Sequence, residues 1–352
     1  MDFGLFFFAD SAPGSDCYSL LLESARFADA NGFAAVWTPE RHFHPFGGRY
    51  PNPAVTGAAL AAVTSRVAIR AGSVVAPLHS PIRIAEEWAC VDNLSGGRVG
   101  LSFASGWHAT DFVLKPENYS DRKNVMVETI ETVRKLWRGE EVELTGVAGE
   151  PQAVRAYPTP IQKELPVWVT SGGTPGTFRS AGRMGAGVLT HQLGQSHEAL
   201  ESNIAAYHEE LAAAHGPDAR GHVAVMLHTM IGTDRSEIRE LVREPFSDYL
   251  RSSMDLIMRD PAAAEPGGFD PNKLSDADKA FMVDRSFNRY FDTAGLFGTV
   301  EDGMEMVRRM ASIGVDEIAC LIDFGVAQDQ VLRSLHHLGE LRLRTAVPEM
   351  TA

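Results

Sequence analysis

Cysteine is scarce in this 352-residue chain, which carries only Cys17, Cys90 and Cys320. Three thiols so far apart exclude a disulfide framework and a cysteine-based zinc site, and they suit a reducing compartment. No apolar stretch approaches the ~20 residues needed to span a bilayer, so no membrane role is expected. The opening, Met1-Asp2-Phe3-Gly4-Leu5-Phe6-Phe7-Phe8, has neither a basic region nor a small-residue cleavage site. A signal peptide is therefore not expected, and the expected location is the cytoplasm. Positive charge is also short. Lys and Arg number 32 against 46 Asp and Glu, a net charge of -14, spread along helices, which argues against a nucleic-acid partner. Internal repeats and low-complexity tracts are absent.

What is there suits a large packed core: 44% hydrophobic and 22% charged residues. Length alone allows two domains, but α/β barrels of this size form one, so the order of elements decides. Runs rich in strand formers fall at 3–8, 33–37, 67–75, 98–103, 166–170, 187–190, 222–231 and 317–322. Helical periodicity lies between them, at 18–30, 53–64, 82–94, 122–138, from about 174, at 197–214, 236–257, 304–312 and 329–344. Asn31-Gly32 and Ser95-Gly96-Gly97 read as helix stops and Asn52-Pro53 as a helix start. Eight alternations predict a single (β/α)8 TIM barrel over 1–352 rather than a doubly wound sheet. An excursion at about 139–165, with a hairpin inside it, and a helical insertion at about 259–292, capping the barrel, interrupt the pattern.

Parallel barrels carry their chemistry past the carboxyl ends of strands. The loop after the second strand holds Glu40-Arg41-His42-Phe43. An imidazole side chain titrates near neutrality, which makes His42 a candidate acid/base, with Glu40 and Arg41 able to act on it by charge. The plainer reading is a structural Glu40–Arg41 clamp beside a packed His42. After the third strand, Gly72, Ser73 and Val74 suit a planar ligand lying against backbone, or tight packing. Pro77-Leu78-His79-Ser80-Pro81 reads as an ordered turn. After the fourth strand, Ala104, Trp107 and His108 form either a ligand wall or an anchored indole beside an exposed imidazole. Thr170-Ser171-Gly172-Gly173-Thr174-Pro175-Gly176-Thr177 runs from strand through a glycine turn to a helix start, where free N–H groups and the helix dipole favour an anion. It lacks the Walker lysine and the dinucleotide glycine spacing, and Arg122 offers a matching charge. His191 and His228 sit at strand ends, where a lone histidine is more often a satisfied core residue. The histidines show no metal-ligand spacing, so no metal is expected.

Taken in order, Ala28-Asp29-Ala30-Asn31-Gly32-Phe33, Val36-Trp37, Glu40-Arg41-His42-Phe43, Pro51-Asn52-Pro53, Pro81-Ile82-Arg83-Ile84-Ala85-Glu86-Glu87 and Asp92-Asn93-Leu94-Ser95-Gly96-Gly97-Arg98-Val99 resemble the bacterial luciferase-like family of flavin-dependent monooxygenases. The resemblance covers nearly the whole chain. Trp37-Thr38-Pro39-Glu40-Arg41-His42-Phe43, Ala104-Ser105-Gly106-Trp107-His108 and Leu189-Thr190-His191-Gln192-Leu193-Gly194-Gln195 are most similar to the subgroup found with natural-product assembly lines. The resemblance implies a barrel binding FMN or reduced FMN, or in another branch F420. It implies a flavin phosphate at Arg122, Ser171, Gly172, Gly173 and Thr177, with the ring over Gly72-Ser73-Val74 and along Ala104 and Trp107. Two departures stand out: Arg41 occupies the place of the luciferases' catalytic histidine, and Ala104 that of their reactive cysteine, so light emission does not carry over.

The function so implied is a two-component monooxygenase. A separate flavin reductase supplies reduced FMN, O2 reacts to a flavin hydroperoxide, and a natural-product intermediate, free or tethered to a carrier protein, is oxygenated. His42, His108 and His191 are the candidates for positioning oxygen or moving protons, and Arg41 for holding the flavin edge or an anionic substrate. The resemblance further implies a homodimer. The alternatives are F420-dependent hydride transfer and a non-catalytic flavin-binding subunit.

Overall fold

The computed structural model describes residues 1–8, 18–258 and 275–346. β1 (Asp2–Phe6) leads through α1 (Ser19–Ala30) to β2 (Ala35–Thr38), α2 (Pro53–Val63), β3 (Ala68–Val75), α3 (Pro81–Ser95), β4 (Val99–Ala104) and α4 (Arg122–Trp137). A hairpin of β5 (Val142–Thr145) and β6 (Pro151–Val154) stands apart as its own antiparallel pair. The alternation resumes with β7 (Val167–Ser171), α5 (Pro175–Arg183), β8 (Gly187–His191), α6 (His197–His215), β9 (Val223–Gly232) and α7 (Arg235–Met258). α8 (Asp276–Arg289), a π turn at Tyr290–Ala294, β10 (Leu296–Thr299), α9 (Val300–Ser312), β11 (Glu317–Leu321) and α10 (Gln328–Ala346) complete the order. Of the predicted insertion, 259–274 lies outside the described residues.

Parallel pairing runs β1-β2-β3-β4-β7-β8-β9-β11 and returns to β1, closing an eight-stranded (β/α)8 barrel as the sequence predicts. β10 is a ninth strand that the sequence reading misses. It pairs with Thr229–Gly232, beyond the part of β9 that pairs with β11. Four residues, Leu-Phe-Gly-Thr, are too few to show a period. Helix ends follow local chemistry. Asn52 Oδ1 accepts from the Ala54 and Val55 N–H groups at 2.8 and 3.3 Å with Pro53 at the first helical position, and α3 stops on Gly96 at φ 75°.

A polar plug fills the amino-terminal end of the barrel. Glu317, fully buried at the start of β11, accepts from Trp37 Nε1 at 2.8 Å and from Arg70 Nη1 at 2.6 Å. The Arg70 guanidinium lies 4.9 Å from the Trp37 ring and 4.5 Å from that of Trp168. Gly4 leaves the space that the Glu317 carboxylate occupies. No helix among the described residues is long and apolar enough to cross a membrane.

Candidate active site

At the opposite end, Glu40 follows β2 by two residues and is buried. Its Oε1 meets His42 Nε2 at 2.8 Å and His79 Nε2 at 2.6 Å, and its Oε2 accepts from the Val75 N–H at 2.8 Å. Burial alone raises such a carboxyl, but the two imidazoles and the amide outweigh it and hold Glu40 below its ordinary value. His79 goes the other way: burial lowers it, and the Glu40 carboxylate more than reverses this. Phe43, next in the loop, has φ 54° and an exposed ring. A bulky residue in that region costs about 1–3 kcal/mol, a cost that collects at functional loops.

Arg41 is buried without an ion-pair partner within 4 Å among the described residues. Its guanidinium lies 5.3 Å from the Trp107 ring and 5.5 Å from that of Phe8, and Nε has no hydrogen-bond partner. Burial lowers its pKa, opposed by the charges of Asp111 and Tyr249. His108, also buried, meets Asp111 Oδ1 through Nδ1 at 3.3 Å, and Trp107 packs edge-on to it at 5.5 Å. The loops after β2 and β4 thus form one cluster of Arg41, Trp107, His108 and Asp111. Phe8, Phe46 and Tyr249 continue it as an aromatic wall to His228, whose ring is 4.7 Å from Tyr249.

On β3 the Gly72–Ser73 peptide is cis and the register with β4 shifts between Gly72 and Val74, which is buried. A Cβ at Gly72 would stand 2.8 Å from Phe6 Cε2 and 3.1 Å from Trp37 Cε3. Packing therefore accounts for that glycine, and the ligand argument moves to Ser73. Its hydroxyl bonds Thr170 Oγ1, which Ser102 Oγ meets at 2.6 Å, so three strand ends share a chain of hydroxyls. β4 and β7 are neighbours, and their register, Phe103 with Val169, carries half-buried Ala104 to the level of Thr170, one residue before Ser171. In the following turn Ser171 Oγ accepts from Gly173 N at 3.3 Å, while a Cβ at Gly172 would find nothing nearer than His191 Nε2 at 3.8 Å and one at Gly176 nothing within 4 Å. Thr174 caps α5 without a side-chain bond, and Thr177 donates its N–H to Thr174 O. Arg122 opens α4, stacks 4.8 Å from the Tyr119 ring and donates to Gly106 O and Tyr119 O.

The glycine turn also meets β8 through His191, whose Nδ1 is buried without a partner and which burial holds below its ordinary pKa. His228 is not the satisfied core histidine of the plainer reading. It lies among Phe246, Tyr249, Tyr290 and Phe324 with Nε2 unpartnered, and burial, then the His191 charge, push it down to about 3. No hydrogen bond or ion pair joins His191 to Arg41, His42 or His108 among the described residues. Sequence reasoning placed Thr170 only at the start of the anion-binding turn and His79 only in an ordered turn, and gave no role to Asp111, Ser102 and Tyr249. A histidine in a strand-three turn was the one available signal, since the others meet the site only through the closure of the barrel.

Residues 1–317 match the model of the family described as Luciferase-like monooxygenase. The oxygenase component of the flavin-dependent trigonelline monooxygenase of Acinetobacter baylyi is 24% identical over 339 residues, 94% of this chain and 90% of that protein. An uncharacterized Mycobacterium tuberculosis protein is 30% identical over 185 residues, 47% of this chain, which spans 66% of that relative, just under two thirds. An F420-dependent hydroxymycolic acid dehydrogenase of the same organism is 28% identical over 226 residues, covering 62% of this chain and 61% of its own. The monooxygenase RslO1 of Streptomyces bottropensis shares the fold at TM-score 0.81 and 23% identity, covering 99% of this chain and 100% of its own. The oxygenating constituent of the Pseudomonas putida 3,6-diketocamphane monooxygenase, in complex with FMN, does so at 0.76 and 18%, covering all of both chains. With the family match running from the first residue to Glu317, where the last barrel strand begins, the chain belongs to the luciferase-like monooxygenase family.

Proposed function

We propose that the protein is the oxygenase of a two-component flavin monooxygenase: it takes reduced FMN from a separate flavin reductase and, with O2, oxygenates a natural-product intermediate that is free or tethered to a carrier protein. The observation that carries this reading is the gathering, at one barrel mouth, of a buried Arg41, three carboxylate-anchored imidazoles and an open glycine turn at a helix start. The printed name of the Acinetobacter relative, an oxygenase component, supports the separate reductase.

The residues present fit a flavin. The glycine turn leaves its backbone open where a phosphate would lie, with Arg122 and Thr177 to hold it, and Ser73 and Trp107 offer a hydroxyl and an indole for the ring. Bound reduced flavin supplies the electrons that activate O2. His42, held through Nε2, keeps Nδ1 for a proton, and His108, held through Nδ1, keeps Nε2. His191 Nδ1 and His228 Nε2 are buried acceptors or donors ready for an oxygen or a substrate carbonyl. Arg41, with no ion-pair partner, favours negative charge developing beside it. The wall of Phe8, Phe46 and Tyr249 keeps water away. A homodimer belongs to the proposal and is read by light scattering.

Turnover under 18O2 with FMN, a flavin reductase and NADH, across candidate intermediates, tests the reading. Label in the product supports it; absence of flavin binding together with absence of oxygen transfer to any substrate class would sink it. The F420 reading rests on the mycobacterial dehydrogenase relative and predicts binding of F420 in place of FMN. Unchanged turnover after His42→Ala and His108→Ala would instead favour a non-catalytic subunit.

A further inference from the structure

A pocket of about 240 Å3 opens between the loop after β8, the first turn of α6, the end of α8 and α9. At ~30 Å3 for each water it holds about eight, room for a substantial ligand fragment. Two arginines line it, and neither is ion-paired among the described residues: Arg289 stacks 4.7 Å from the Tyr290 ring, and Arg309 donates to Thr293 O at 2.9 Å. The protein's surface arginines are otherwise widely paired, Arg179, Arg235 and Arg344 with two carboxylates each. Glu198 also lines the cavity, so two guanidinium charges face one carboxylate and the excess is positive. Ser196 caps α6 here through Ala199 N, placing the positive end of a long helix on the same space.

The acceptors are the independent sign of a ligand. Gln192 and Gln195 are 3% and 8% exposed, both line the cavity, and the Oε1 of each is buried without a partner. Gln195 spends its amide N–H groups on Thr190 and the His191 carbonyl, so its free oxygen is fixed by the network. His197 Nδ1 is a third unpartnered buried atom. Buried acceptors left without donors are costly, about 1–3 kcal/mol each, and rare without a function. Two guanidinium groups with no carboxylate within 4 Å among the described residues call for an anion, and the orphan carbonyls call for hydroxyl or amide donors on the same molecule.

We propose that this cavity binds the phosphate or carboxylate of a ligand that also carries hydroxyl or amide hydrogens. Its wall is shared with the glycine turn, since Gln195 Oε1 lies 3.1 Å from where a Cβ on Gly173 would stand. Calling it the anionic tail of the oxygenase's organic substrate rests on the functional reading above; the anion binding itself does not.

The test is calorimetric titration of the full protein with glycerol 3-phosphate, glycerate, inorganic phosphate and glycerol. One of the two hydroxylated anions binds and identifies the anion, inorganic phosphate binds more weakly, and glycerol alone does not bind. Arg289→Gln, on an exposed side chain, and Arg309→Gln each weaken that binding by about tenfold, the loss expected with one charge-assisted contact. Arg179→Gln, whose side chain pairs with Glu209 and Glu210 away from both sites, leaves it unchanged. Should Arg309→Gln not fold, Arg289→Gln decides alone. Equal affinity for glycerol and the anions, or wild-type affinity in the arginine variants, overturns the proposal. FMN binding, followed separately by flavin fluorescence, reports on the flavin reading: its absence with anion binding intact would fail that reading and leave this site standing.

Discussion

Glu40 orients two imidazoles at once, and its buried position leaves no water to replace it. Glu40→Gln keeps the shape and removes the charge, so His79 loses the partner that raises it and His42 its anchor. Positioning losses of this kind cost about 100-fold in rate. The expected result is a fall of that order in kcat with FMN affinity within a few-fold of wild type; an unchanged kcat contradicts the role. His228 makes a second prediction. Its pKa falls from an ordinary 6.5 to about 3 on folding, so between those values the unfolded chain holds the extra proton and stability drops as pH falls. His191 shifts in the same direction. Removing one such group by His228→Phe flattens the acid limb by roughly 1.4 kcal/mol per pH unit, the value for one proton. Urea unfolding from pH 6 to 4 measures the slope, and a slope equal to wild type contradicts the shift.

At the scale of elements, the stretch from Asp92 to Arg98, one of those that carry the family resemblance, proves to be a clamp at the other end of the barrel from the candidate site. Asp92, fully buried on α3, accepts from Ile161 N at 2.7 Å, Gln162 N at 3.0 Å and Gln162 Nε2 at 2.7 Å, pinning the end of the 139–165 excursion. Asn93 reaches Thr159 O, and Arg98 donates to Ser95 O, Thr64 O and Val67 O. Asp92→Ala strips three bonds from a charged acceptor and is expected to cost about 3 kcal/mol or more, read by urea unfolding; a change below 1 kcal/mol contradicts the clamp. The same scale explains what could be read in advance. The barrel strands, four to ten residues long, helix periods and the Asn52 and Gly96 punctuation are local and were legible. β10, four residues with Gly298 at φ 118° among them, carries too few strand formers, and the meeting of Arg41 with Trp107 joins loops 66 residues apart, a contact no periodicity encodes. Gly72 carries two readings in the sequence for a physical reason: smallness reports close approach without saying whether a ligand or Phe6 approaches.

Across the whole molecule the barrel separates stability from chemistry. The amino-terminal end carries the Glu317–Arg70 plug, and the carboxyl end carries the histidines and the glycine turn. Glu317→Ala leaves half-buried Arg70 and the Trp37 indole N–H without their acceptor, a loss of about 3 kcal/mol, with flavin affinity unchanged in the fraction that folds. A loss of affinity equal to that of the top-face variants would contradict the separation. The central claim, that the carboxyl end is a flavin site, is tested most directly by anaerobic titration with reduced FMN and, in parallel, reduced F420. The account predicts 1:1 binding of reduced FMN in the micromolar range, about 8 kcal/mol, weakened by Arg122→Gln and Thr177→Ala. Binding of reduced F420 with none of reduced FMN would contradict it.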